Sequence, residues 1–384
     1  MGRNRQFGTL LFFELKKILT ARVTLILLIF IAAYSVIQGI SQINQLDDFE
    51  IRTSNLQRSI DERPIDDALI AETAEAAYKL GMPYECWNEL NCTYMKPSSW
   101  LKQIIDDNSK LTDYNVESVY QKRDSSISES MNSMKLTESE KEYWQVQEKK
   151  LSTPIIWHYT EEINGLISTL ISLPLIMLFA TTLLLSQIFS GEIKDKTDSL
   201  IKCTVGGWSA TYLAKVTAAF ICTLFLNIVI EAISVLTSIF LWGKDTWSIP
   251  IQLFMPLTSY SMTIGQFIRA QLIMITATCL LMTAVTCFLS EILKSPVAVM
   301  SGVFGSFLIV YISSNRIPYS SRMLSQLFCL LSPMYMTSGS ALCEYRLIGV
   351  SGHYLTALQF APILYIVLSI ALIASGYFIY TNRK

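Results

Sequence analysis

Phe189–Val216 reads FSGEIKDKTDSLIKCTVGGWSATYLAKV. Lysines, aspartates and a Gly-Gly pair stand here between two long apolar runs. Ile163–Gly191 carries no charge, and Val216–Gly243 carries only Glu231. Further uncharged runs fill Val23–Leu46, Ala270–Ser290, Ser295–Asn315 and Leu347–Asn382. About 20 apolar residues cross a bilayer as a helix. Lipid admits only helices or closed barrels, because every backbone polar group must be paired within the protein. The two-residue alternation of barrel strands is absent. The sequence therefore predicts an all-α polytopic membrane protein with six transmembrane helices.

Composition agrees. The chain has 384 residues, 51% hydrophobic and 16% charged, with mean hydropathy +0.39. Soluble domains carry about 25% charged residues. The first run is too long for a cleaved signal peptide and lacks a small-x-small site, so it reads as a retained anchor. Lysine and arginine set orientation. Twelve sit on one set of flanks (Arg3, Arg5, Lys16, Lys17, Arg22, Lys194, Lys196, Lys202, Lys215, Lys294, Arg383, Lys384) and five on the other (Lys244, Arg269, Arg316, Arg322, Arg346). This places both termini in the cytoplasm, as an even number of spans requires.

The expected divisions are a cytoplasmic interfacial helix over 1–21, a transmembrane helix over 22–44, an extracytoplasmic domain over 45–160, and a five-helix transmembrane domain over 161–384. In the interfacial helix Phe7, Leu10, Leu11, Leu15 and Ile18 recur at helical spacing. From Asp47 to Lys150 there are 21 acidic and 13 basic residues, so an acidic outer domain is hidden by a chain total of −1. This domain reads as mostly helical. One helix is expected over Ile65–Leu80, stopped at Gly81-Met82-Pro83. A second is capped by Ser98 and runs to Leu111. A third starts at the capping box Thr137–Glu140. Asn91-Cys92-Thr93 fits a glycosylation sequon.

Cys86 with Cys92, and Cys329 with Cys343, could form disulfides in an oxidising compartment; unpaired thiols fit equally. Within the third span Asn227 and Glu231 are four apart, and Thr223, Ser234 and Ser238 continue their face. A carboxyl in mid-bilayer rarely faces lipid. Asn227, Glu231 and Ser234 therefore mark either a transport pathway or a hydrogen-bonded joint between helices. The fourth span has a softer stripe of Thr276, Cys279, Thr283, Thr286 and Ser290. Ala298, Gly302 and Ser306 give the fifth a face for close helix approach.

No P-loop occurs, no His/Cys cluster has metal spacing, and no nucleophile has a local base. The positive-inside rule already accounts for the basic residues, so no nucleic-acid partner is needed. The chain is not expected to be catalytic on its own or to bind a metal or cofactor.

The opening stretch reads as a helix over Glu192–Thr204, with Ser190 as cap and Glu192 complementing the dipole. Ile193, Thr197, Leu200, Ile201 and Thr204 share one face. Gly206 and Gly207 allow a sharp turn. The physical reading of 190–210 is a docking element; the plainer one is an amphipathic connector on the headgroups.

These features resemble the membrane subunits of ABC-2 type ABC transporters. Phe189-Ser190-Gly191-Glu192, Thr197, Cys203–Ser209 and Tyr212-Leu213-Ala214-Lys215 follow the family's pattern after the second span. Lys196 stands where Gly is common and Ala210 where Arg is frequent. Ser290–Pro296 is similar to the turn between the fourth and fifth spans, and Leu331-Ser332-Pro333 to the external hairpin before the last. The resemblance implies a permease working as a homodimer or heterodimer in the cytoplasmic membrane. Each half would dock on a separate ATP-binding subunit, which supplies ATP and Mg, through the segment after the second span. The implied function is export of a peptide, lipid-like or amphipathic substrate; the acidic outer domain would attract cationic species at long range, which makes antimicrobial peptide export or immunity one form of it. The alternatives are a sensor or signalling subunit of such an assembly, and an ion-coupled carrier using Glu231.

Overall fold

Apolar side chains in runs of 20 or more favour helices that satisfy their own backbone, and helices dominate the computed structural model. It describes residues 2–20, 22–44, 55–77, 89–105, 111–194, 207–293, 295–350 and 353–382. The long helices are α1 (Gly2–Leu19) and α2 (Arg22–Asn44), followed after an inserted domain by α7 (Glu161–Leu185), α8 (Gly207–Trp242), α9 (Ile264–Ile292), α10 (Pro296–Arg316) and α12 (Ala357–Asn382). Among the described residues five helices are long and apolar enough to cross a membrane. A sixth span is available if Phe7–Leu19 and Thr24–Gln38, which meet at 60°, count as one.

α9 is the centre of the bundle and packs against α7, α8, α10 and α12. Its apolar side chains are buried on nearly every face, Phe267, Ile268, Met274 and Met282 among them. α8 and α12 instead leave Phe225, Ile228, Phe240, Ile366 and Phe378 exposed. Exposed apolar surface on this scale requires a lipid or protein covering. α1 lays Leu11, Leu15 and Ile18 on the bundle and leaves Phe12 and Phe13 exposed.

The inserted domain is helical: α3 (Asp67–Ala77), α4 (Glu89–Ile104), α5 (Val116–Ser133) and α6 (Glu138–Glu148). Thr137 and Glu140 form the expected capping box, and Asn115 with Ser118 forms another. Two boundaries differ from expectation. α4 begins at Glu89 and runs through Pro97 and Ser98, so Ser98 is no cap. In its first described turn, Asn91 is buried and donates from Nδ2 to Ala76 O at 2.6 Å. That burial also leaves the Asn91 sequon without an accessible amide. The last apolar run is not helical from Leu347. β1 (Ile348–Val350) first pairs with β2 (His353–Leu355), and α12 starts at Ala357. Gly81–Pro83 and Cys86 lie outside the described residues.

The inserted domain packs on the loops that join α8 to α9 and α10 to α12, at the end of the bundle away from α1. Trp144 is fully buried there. It makes edge contacts with Tyr143, Tyr260 and Tyr345 and donates from Nε1 to Tyr345 O at 2.6 Å. Arg123, also buried, donates to Pro256 O and Thr258 O, both at 2.8 Å, and pairs with Glu148. A buried guanidinium is tolerated only with such full pairing.

Glu140 does double duty. Besides closing its capping box it accepts from Arg322 Nη2 at 2.6 and 2.7 Å, and from Leu347 N at 2.9 Å. Arg322 opens α11 (Arg322–Leu331). Next to it Arg346 and Glu344 form a fully buried pair, supported by Ser325. Burial opposes the Arg346 charge, but the bonds to Glu344 hold it above its ordinary value.

Cys329 and Cys343 both carry free thiols, and so does Cys92. Burial and the nearby Glu344 push the Cys329 thiol up to about 11. Burial raises Cys343 as well.

Candidate functional site

The segment singled out in the sequence begins where α7 loses its regular helix. The chain passes through a turn at 186–189 and re-forms a short helix, Ser190–Lys194. Ser290, near the end of α9, braces this break. Its Oγ accepts from Phe189 N at 3.2 Å and Ser190 N at 3.1 Å and donates to Ser186 O at 3.0 Å. Ser190 therefore does not cap from outside. Its own hydroxyl donates back to Ser186 O, because the chain arrives already in a helical turn.

Glu192 and Ile193 lie in the short helix, and Gly207 begins α8. Thr197, Leu200, Ile201, Thr204 and Gly206 lie outside the described residues. Glu192 is held from α8. Lys215 has no exposed surface, and its ammonium donates to a Glu192 carboxylate oxygen and to Ile188 O at 2.9 Å. It also lies 3.8 Å from Glu14 Oε1 and 5.4 Å from the centre of the Phe189 ring. Lys17 approaches Glu192 at 3.5 Å. One buried cation thus joins α1, the end of α7 and the start of α8. Desolvating a lone ammonium is costly, so the two carboxylates and the carbonyl are what make the position tolerable.

Beside it stands an aromatic cluster. Tyr212 packs on Phe189, Tyr377 and Tyr380, with ring centres 5.4 to 5.7 Å apart, and donates to Ile373 O at 2.8 Å. Gly376 on α12 makes room: a Cβ there would stand 2.5 Å from the Tyr212 hydroxyl. Glu14 is the residue the sequence reading missed. Its signal was available, since it falls on the face of Leu11, Leu15 and Ile18, where an acid has no reason to be without a partner.

The two polar stripes meet each other. Thr283 donates to Thr223 at 2.9 Å. Asn227 donates to Thr276 Oγ1 at 3.1 Å and accepts from Cys279 Sγ at 3.0 Å. Thr276 donates to Glu231 Oε1 at 3.2 Å. Ser234 is buried beyond them, its hydroxyl without a hydrogen bond. The stripes on α8 and α9 therefore close into one hydrogen-bonded seam between helices, and Asn227, Glu231 and Ser234 lie along it.

No family model, curated protein or solved structure matches the chain.

Proposed function

We propose that the chain is the membrane-spanning subunit of an ABC-2 type exporter in the cytoplasmic membrane. It has six spans, both termini in the cytoplasm, and an acidic outer domain between the first and second spans. It pairs with a second permease subunit and draws on ATP and Mg through a separate ATP-binding subunit. The cargo is a peptide, lipid-like or amphipathic molecule.

One observation carries this reading. Buried Lys215 ties the first turn of the Glu192–Thr204 segment to both the N-terminal helix and the next long helix. A displacement of that segment by an ATPase is passed directly to three helices. Two states of the bundle then differ in their contacts with the ATPase, as any driven cycle requires.

Co-purification tests it. The tagged protein is isolated from its own host in mild detergent and its companions are identified by mass spectrometry. The expected companion is a P-loop ATPase that is lost on replacing Glu192 and Leu200. Repeated isolation alone, with a control transporter intact, overturns the reading. The carrier alternative is separable: it requires Glu231 to titrate, so Glu231→Gln abolishes transport under that reading and spares it in an exporter.

A further inference from the structure

α11 is amphipathic the wrong way round for a helix at a water surface. Its only charged residue is Arg322. Arg322, Ser325, Gln326 and Cys329 share its polar face, and that face is turned into the protein. Arg322 is engaged by Glu140, and Ser325 Oγ accepts from Arg346 Nη1 at 2.6 Å. Gln326 Nε2 donates to Leu347 O at 3.4 Å, and Cys329 Sγ accepts from Arg346 Nη2 at 3.6 Å. Met323, Leu324 and Leu327 lie on the opposite side, and all three are exposed, Met323 to 86%. A helix in contact with water buries its apolar stripe and exposes its polar one. The reverse arrangement requires an apolar covering.

The neighbouring helices say what that covering is. α11 packs on α10 and α12. Those helices leave Leu308, Ile309 and Ile312, and Ile363 and Ile366, exposed. The apolar side of α11 therefore continues the lipid-facing side of the bundle. Ten residues make about 15 Å of helix, half the hydrocarbon thickness of about 30 Å. α11 thus reaches into one leaflet only, the one on the side of the inserted domain.

A groove of about 490 Å³ runs beside α11. Met323, Leu327 and Leu330 line one wall at i, i+4 and i+7, so that wall extends about 10 Å along the helix. Ile348 of β1 and Phe360 of α12 line the other. Its polar lining is Arg322 and Gln326, which Glu140 and Leu347 O already engage. The groove is therefore elongated and apolar, and its one charge is paired.

We infer that this groove holds one acyl chain of a phospholipid from the leaflet on the side of the inserted domain, lying along α11 between Leu327 and Phe360. The lipid sits against the Glu140–Arg322 joint that ties the inserted domain to the bundle. The inference rests on the bundle lying in a bilayer and not on the exporter reading, so failure of the ATPase co-purification leaves it standing.

The test is photo-labelling of the full chain in phosphatidylcholine nanodiscs that carry a trace of phosphatidylcholine with a diazirine in one acyl chain. Adducts are mapped by mass spectrometry after irradiation and digestion. They are expected on Ile348 and Phe360, and on Leu308 and Ile312 of α10 as the record of bulk lipid. Leu327→Trp fills the groove from an exposed position. It is expected to cut the adducts on Ile348 and Phe360 by about tenfold or more, as displacing two buried methylenes at roughly fourfold each requires. Labelling of α10 and the melting temperature should not change. Met323→Trp, at the most exposed position of the wall, is expected to act in the same direction and stands in if Leu327→Trp does not fold. Labelling of α10 without labelling of Ile348 and Phe360 would mean that water or protein covers α11. Undiminished labelling in both tryptophan variants would mean contact with bulk lipid only. Either result overturns the proposal. An unlabelled α10 would remove the bilayer placement itself, and the proposal with it.

Discussion

Lys215 and Gly376 show how single residues set the end of the bundle that carries α1. Replacing Lys215 with Met leaves Glu192 and Glu14 without their buried partner. Stranding a buried charge in this way costs about 3–5 kcal/mol, so a clear fall in melting temperature is expected. The double variant Glu192→Leu with Lys215→Met should recover part of it, and equal melting of the single and double variants would show that the pair is not the cause. Gly376→Ala forces Tyr212 from its bond to Ile373 O, and overpacking of this kind costs roughly 1–3 kcal/mol. Tyr212→Phe in the same chain should relieve it, because the clash is with the hydroxyl. At this scale the sequence was uneven. Glu192 and Lys215 were visible as polar residues flanking apolar runs. Their contact was not, since it is made across 23 positions, and the partner Glu14 looked like one more charge on an amphipathic helix.

Elements were more legible than residues. A long uncharged run has one stable form in lipid, so α7, α8, α9, α10 and α12 follow from composition alone. The Thr137–Glu140 cap was also readable, because both partners lie within one turn. Local signals misled at Ser98, which lies inside α4, a helix tied to α3 through the bond from Asn91 to Ala76 O. Both polar stripes could be read from period alone, but not that they face each other. Asn227→Ala and Thr276→Val are each expected to cost about 0.5–2 kcal/mol, and together less than the sum, because both remove the same Asn227–Thr276 bond. A thermal-melt double-mutant cycle measures this, and strict additivity would mean that the seam does not hold the two helices.

At the scale of the molecule, the inserted domain and the bundle are joined through buried charge. Burial would raise the Glu140 carboxyl, but the bonds from Arg322, Thr137 and Leu347 outweigh it and hold the group below the ordinary value of 4.5. A depressed native value stabilises the fold fully above the unfolded value. That stabilisation is lost as pH falls through the native value. Melting temperature should therefore drop as pH falls below 4.5, and Glu140→Gln should melt lower at neutral pH and lose less on acidification. A parallel pH dependence in the two proteins would remove Glu140 as the source. The joint also has a consequence for synthesis. Glu140 and Trp144 precede their partners Arg322, Tyr345 and Leu347 by about 180 to 207 positions. The ribosome makes the domain early, but its base cannot close until the last third of the chain has been threaded into the membrane. A nascent chain stopped after α9 should thus carry an inserted domain open to protease at its base, sealed only when the final hairpin arrives.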